Sequence, residues 1–160
     1  MKLDLDGQET GQSEMSISGT LQLDLGEGRP DTAEIVGVLE VQNVESRFMV
    51  NGTLRATGTA ECGRCTVDFA IKWDVPVALM VLRDAHSQEE DGDLLVLHQR
   101  QGVVDLEESL RECAVLGYPQ SPACSADCKG FCASCGKDLN KEVCECAKED
   151  YDPRWDGLPE

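Results

Sequence analysis

The chain has 160 residues, enough for one independently folding core, and carries 31 acidic against 14 basic side chains for a net charge of −17. No stretch reaches the roughly 18 consecutive apolar residues of a membrane span, and the opening residues, Met1 to Asp6, lack the basic head and apolar centre of a secretory signal. These features argue against a membrane-spanning helix and lead us to expect a cytoplasmic location, where thiols stay reduced.

In chain order, the first element is an alternation of Met15, Ile17, Leu21, Leu23 and Leu25 with Ser16, Ser18, Thr20, Gln22 and Asp24, the period of a half-buried strand. Residues 35–44 make a weaker strand. Phe48, Val50, Leu54, Ala56 and Ala60 then share a face opposite Arg47, Asn51, Thr53, Arg55 and Thr57. Asn51-Gly52 is a turn signal, yet the alternation runs through it. The turn is therefore expected at Asn43–Arg47, and Gly52 at a bulge or close backbone approach. The clearest strand follows, with Val67, Phe69, Ile71, Trp73, Val75, Val77, Leu79 and Val81 all at odd positions. Pro76 within it predicts an edge position or a bulge.

Residues 84–93 read as an exposed acidic loop, and Leu94–His98 as a short fifth strand. A helix is predicted over 105–117, with Asp105 as its cap and Glu108 completing a capping box. Cys113 on that helix reads as a small buried hydrophobe. Asp152-Pro153 would open a last helical turn carrying Trp155 and Leu158. The fold class is α+β, mostly β: an antiparallel β meander or partly open barrel, one following helix, and a C-terminal zinc-binding cysteine-rich tail. Residues 1–118 form the acidic body, and 119–160 the tail, packed on it as one domain.

Eight of the nine cysteines fall into four close pairs, and six of the nine lie between residues 124 and 146. Zinc takes four thiolates at tetrahedral corners, and a C-x-x-C turn aims two of them at one ion. Cys132 and Cys135, with Gly136 free to turn the backbone, pair with Cys144 and Cys146 as one site. A second site would join Cys62 and Cys65, between two strands, to Cys124 and Cys128, clamping tail to body. Three other arrangements remain open for Cys62 and Cys65. They form a redox pair, they stay free, or a single zinc chooses four of the six tail thiols. A redox pair would rather sit at a helix N-terminus. A four-thiolate zinc leaves no position for water, and no phosphate loop or nucleophile–histidine pattern is present, so a structural metal and a non-enzymatic protein are expected.

The charge is unevenly spread. Residues 1–118 hold 9 basic and 22 acidic groups, whereas 121–148 hold four lysines and four acids. Nucleic-acid contact would thus centre on the tail, while the acidic body suits a basic protein partner or simply keeps the chain soluble.

The sequence C-G-R-C-T-V-D-F at 62–69, D-L-E-E-S-L at 105–110, C-x3-C-K-G-F-C-x2-C-G-K-D-L-N at 124–140, C-E-C at 144–146 and D-P-R-W at 152–155 resembles, in that order, the YceD-type large ribosomal RNA subunit accumulation proteins. The resemblance covers about 50–158. It implies a ribosome-biogenesis factor that supports accumulation of large-subunit ribosomal RNA by binding precursor RNA or an assembling pre-ribosomal particle. On that reading Lys129, Lys137 and Lys141 would approach phosphates. Phe131 would stack on a base or pack beside the metal, and Arg64 would meet phosphate or local carbonyls. The alternative is an adaptor whose acidic body holds a basic ribosomal protein.

Overall fold

The computed structural model describes residues 1–6, 10–44, 47–83, 95–98 and 102–146. Among these described residues seven strands and one helix follow in order: β1 (Lys2–Asp4), β2 (Gly11–Gln22), β3 (Thr32–Val44), β4 (Arg47–Glu61), β5 (Asp68–Leu82), β6 (Leu95–His98), β7 (Val103–Asp105) and α1 (Glu107–Gly117). Strands β2 to β6 form one five-stranded sheet in sequence order, and β1 pairs with β7 in a separate ribbon. The sheet is not closed into a barrel: β2 and β6 are its two edges.

The alternation in the sequence becomes a two-faced sheet. Leu39, Phe48, Val50, Leu54, Val75 and Leu79 are fully buried on the inner face, which α1 and the ribbon cover with Leu110, Ala114, Leu3 and Val104. Trp73 ties the sheet to the helix by donating its indole N–H to the Ala114 carbonyl at 3.1 Å. Gly117 packs so closely on β5 that a Cβ would lie 2.8 Å from the Asp74 oxygen. Cys113 is buried in this core, and desolvation raises its thiol pKa.

The β3–β4 ladder extends to Val44 opposite Arg47, which places the turn where the unbroken alternation required it. Gly52 keeps its rung opposite Val77 and comes close to β3, where a Cβ would meet Leu39 Cδ2 at 2.9 Å and Val38 O at 3.1 Å. Pro76 lies opposite Thr53 in the β4–β5 ladder but beyond the Leu79–Leu82 stretch where β6 pairs, so on that side it faces no described strand.

Three expectations need correction. Strand β6 runs parallel to β5, so the sheet is mixed rather than a pure meander. The ribbon strands β1 and β7, three residues each, were not predicted, because so short a segment carries no period. The capping box does not form: α1 starts at Glu107, Asp105 is held in the ribbon opposite Lys2, and its carboxylate accepts the Glu107 N–H at 3.0 Å and the N-terminal ammonium at 3.1 Å. Glu108, freed from the cap, pairs with Arg111. The acidic loop at 84–93 and the turn after Asp152 lie outside the described residues.

Candidate metal centre

Two short segments fold alike. In Cys62-Gly63-Arg64-Cys65-Thr66, between β4 and β5, the Cys62 N–H donates to Val67 O at 3.0 Å and the Thr66 N–H to Cys62 O at 2.9 Å. In Cys132-Ala133-Ser134-Cys135-Gly136 the Cys132 N–H donates to Lys137 O at 2.8 Å and the Gly136 N–H to Cys132 O at 2.9 Å. The fifth residue of each is left-handed, Thr66 at φ 52° and Gly136 at φ 70°. Each turn therefore presents two sulfurs on one side, the arrangement a tetrahedral ion requires.

The tail brings a second pair to the first turn. The Gly63 N–H donates to Pro122 O at 2.9 Å, which sets Cys124 beside Cys62, and the Cys124 N–H then donates to the Cys62 sulfur at 3.4 Å. Cys62 Sγ lies 3.9 Å from Cys128 Sγ, and Cys65 Sγ lies 3.6 Å from Cys124 Sγ. Cys62, Cys65 and Cys128 are buried together, with Phe69 packed on both this cluster and the sheet core. Arg64 staples the assembly: its guanidinium donates to Cys128 O at 2.9 Å and Ala126 O at 3.3 Å, and its carbonyl accepts the Phe131 N–H at 3.1 Å. Of the two roles open for Arg64, the structure shows the local-carbonyl one. Gly130, at φ 69°, lies against the same turn, and a Cβ there would stand 2.7 Å from Arg64 O.

The second turn is the tip of a small hairpin. Its rungs run from Cys132–Lys137 through the Phe131–Asp138 bridge to the Leu139 N–H on Gly130 O at 2.9 Å. The Lys141 and Glu142 N–H groups both donate to Asp138 O, reversing the chain so that Cys144 and Cys146 return to the tip. There Cys144 Sγ lies 3.3 Å from Cys132 Sγ and 3.4 Å from Cys135 Sγ. The four sulfurs of each group lie within 4.8 Å of one another.

Four ligands at about 2.3 Å from zinc stand about 3.8 Å apart, and the 3.3–3.9 Å separations here bracket that edge. The protonation pattern of the thiols points the same way. Backbone N–H groups, from Cys124 first and then Arg64, lower the Cys62 thiol to about 6, while neighbouring thiols, Cys128 first, push Cys124 up to about 12. In the other group the Cys135 N–H leads in lowering Cys132 to about 6, and the Cys144 thiol leads in raising Cys146 to about 12. One thiol in each group thus ionises readily, and another resists while no cation is there to receive it. Both groups of four cysteines could hold a metal ion.

The other predicted contact residues lie around these groups. Lys137 sits 3.8 Å from Glu142 and Lys141 3.1 Å from Asp138, whereas Lys129 has no ion-pair partner among the described residues. Phe131 is 42% exposed, with its ring neither fully buried nor free. One residue escaped sequence reasoning. The Asn140 amide donates to Cys128 Sγ at 3.6 Å and to Asp138 Oδ1 at 2.9 Å, and its carbonyl accepts the Lys129 N–H at 2.9 Å.

Comparison with known proteins places these features in a family. The family described as Large ribosomal RNA subunit accumulation protein YceD matches residues 50–160, the stretch holding all eight clustered cysteines. An uncharacterized protein of Mycobacterium tuberculosis is 34% identical over 125 residues, covering 76% of this chain and 59% of its own length. One of Mycobacterium leprae is 33% identical over 123 residues, covering 73% of this chain and 54% of its own length. The chain thus spans little more than half of these relatives. The chloroplastic YCED homolog 1 of Arabidopsis thaliana, named as a large ribosomal RNA subunit accumulation protein, is 35% identical over 55 residues, 34% of this chain and 17% of its own. No solved structure matches.

Proposed function

The chain belongs to the YceD family of large ribosomal RNA subunit accumulation proteins, and from that premise we propose that it is a non-enzymatic ribosome-biogenesis factor of the cytoplasm. It supports accumulation of large-subunit ribosomal RNA by engaging the precursor or an assembling particle through its tail. Body and tail act as one domain, because two structural zinc ions hold the tail in shape. Cys62, Cys65, Cys124 and Cys128 bind one, and Cys132, Cys135, Cys144 and Cys146 the other. The observation that carries this reading is the gathering of eight thiols into two fours, at tetrahedral spacing, within the matched region. A closed thiolate shell has no site for substrate or water, so the metal supplies rigidity alone.

A redox role fits poorly. Cys62 and Cys65 are both buried, and each sulfur has a tail thiol close by, whereas exchange chemistry needs an accessible thiolate. Among the described residues no helix is long and apolar enough to cross a membrane.

Lys129, Lys137, Lys141 and the exposed edge of Phe131 form the RNA-facing surface. The Lys137–Glu142 pair is exposed on both sides, and the Lys141 side chain is exposed although its partner Asp138 is largely buried, so both ammonium groups are within reach of phosphate. Binding to large-subunit ribosomal RNA should weaken with salt at a log–log slope of roughly −2 to −3, the signature of about three phosphate contacts. Replacing the three lysines by glutamine should flatten that slope. A wild-type protein whose RNA binding ignores salt contradicts direct contact. One observation favours the adaptor reading instead: Glu14 and Glu40 stand directly opposite across the β2–β3 ladder, a repulsive pair that a basic ribosomal protein would relieve. On that reading the RNA slope vanishes, and the protein binds a ribosomal protein rather than RNA.

A further inference from the structure

The two thiol groups are not independent. The hairpin that carries Cys132 and Cys135 at its tip has its base against the other group. Below the Gly130–Leu139 rung, the next rung is made by a side chain, the Asn140 carbonyl accepting the Lys129 N–H at 2.9 Å. Lys129 directly follows Cys128, and the amide of the same side chain donates to Cys128 Sγ at 3.6 Å. The orientation of the carboxamide is fixed by its partners. The amide nitrogen faces a thiol and the Asp138 carboxylate, both acceptors, and the oxygen faces a donor; the flipped form would set oxygen against both acceptors. Asp138 is in turn anchored, accepting the Asn140 N–H at 3.0 Å and pairing with Lys141, and these bonds lower its pKa. Asn140 thus belongs by sequence to the loop between Cys135 and Cys144, and by contact to the group of Cys62, Cys65, Cys124 and Cys128.

Resting on the metal reading above, we infer that Asn140 is a positioning residue that couples the two sites. Gathering the distal sulfurs fixes the hairpin, the hairpin fixes Asn140, and its N–H steadies the Cys128 thiolate at the proximal site. Outer-shell bonds of this kind contribute roughly 10–100-fold to metal affinity. Because coupling between two binding sites is reciprocal, an ion at either site raises affinity at the other.

The test titrates the reduced 160-residue chain with cobalt(II), whose thiolate charge-transfer band reports each site. Asn140→Asp keeps an acceptor for the Lys129 N–H but puts a carboxylate where the amide donated. It should weaken one of two sites by about 10–100-fold and shift that site's band to lower energy, because a sulfur without its hydrogen bond gives up an electron more readily. Cys144→Ser/Cys146→Ser leaves only the proximal site. It should show the same weakening, with Asn140→Asp adding little on top. Asn140→Ala, which adds no charge, repeats the measurement should the aspartate variant fail to fold. Unchanged affinity and band position in the Asn140 variants, or a proximal site indifferent to loss of the distal one, would overturn the coupling. Absence of any cobalt–thiolate band in the wild type would instead reject the metal reading itself.

Discussion

The two cysteine groups share a backbone turn and differ in almost everything around it. The proximal group draws two thiols from the β4–β5 turn and two from the tail, with Cys62, Cys65 and Cys128 buried and Phe69 joining them to the sheet core. The distal group lies wholly in the tail, with Cys135 exposed and Val143 beside it 89% exposed. On the proposed zinc reading the same chemistry would do two jobs: one group would fasten the tail to the body across about 60 residues of sequence, closing a long loop, and the other would shape a hairpin. Asn140 is the described contact through which the second reaches the thiols of the first.

The sharpest break of this comparison is loss of one thiol from each group. Cys65→Ala should lower the thermal midpoint of the body by about 10 °C or more, because sheet turn and tail lose a common anchor. Cys135→Ala should lower the body's near-ultraviolet circular dichroism melt by distinctly less, and only through the weakened proximal site it leaves behind. Equal losses would erase the distinction. Next come the two left-handed glycines of the tail hairpin. A methyl at Gly130 meets Arg64 O at 2.7 Å, so Gly130→Ala should cost about 3 kcal/mol in denaturant unfolding. Gly136→Ala, with nothing within 4 Å, should cost about 1 kcal/mol from backbone strain alone.

A smaller effect uses a charge remote from both groups as control. The Glu107 N–H first, and then the N-terminal ammonium, hold the Asp105 carboxyl below its ordinary range. A lowered folded pKa stabilises the protein above the unfolded value of about 3.9, and that contribution is lost as pH falls through the folded value. Asp105→Asn should thus reduce stability at pH 7 and flatten its decline below about pH 4, with metal content unaltered. The smallest effect is expected at Thr66, a β-branched residue at φ 52°. Thr66→Gly should be neutral or stabilise by about 1 kcal/mol in the same unfolding assay, since glycine relieves the left-handed strain.

How much of this was legible in the sequence depended on how local the cause was. Strand β5 could be read from Val67 to Val81 because burial on one face writes a period of two into the chain. The turn after Val44 followed from the unbroken alternation through Gly52, whose close approach to Leu39 is a local backbone fact. The distal four cysteines are gathered by spacing within 15 residues. The proximal four rested on arithmetic over the remaining pairs, and the fold brings their sulfurs together. What stayed hidden was set by partners far away in sequence. Asp105 looked like a helix cap, but β1 holds its backbone in a ladder. The parallel pairing of β6 leaves no local signature in four residues. For Arg64 the sequence left phosphate and local carbonyls both open, and nothing in it pointed to the carbonyls of Ala126 and Cys128, more than 60 residues away. Asn140 has no role that spacing or residue type assigns; only the hairpin sets it against Cys128.

The central claim, two four-thiolate zinc sites of unequal duty, is tested most directly by native mass spectrometry of the reduced 160-residue chain during chelation. The account predicts two zinc ions per chain, lost in two steps, with the exposed distal ion leaving first and the one-zinc species retaining the fold of the body. A chain that carries no zinc, or a single ion, with Cys62 and Cys65 open to alkylation in the folded state, would contradict it.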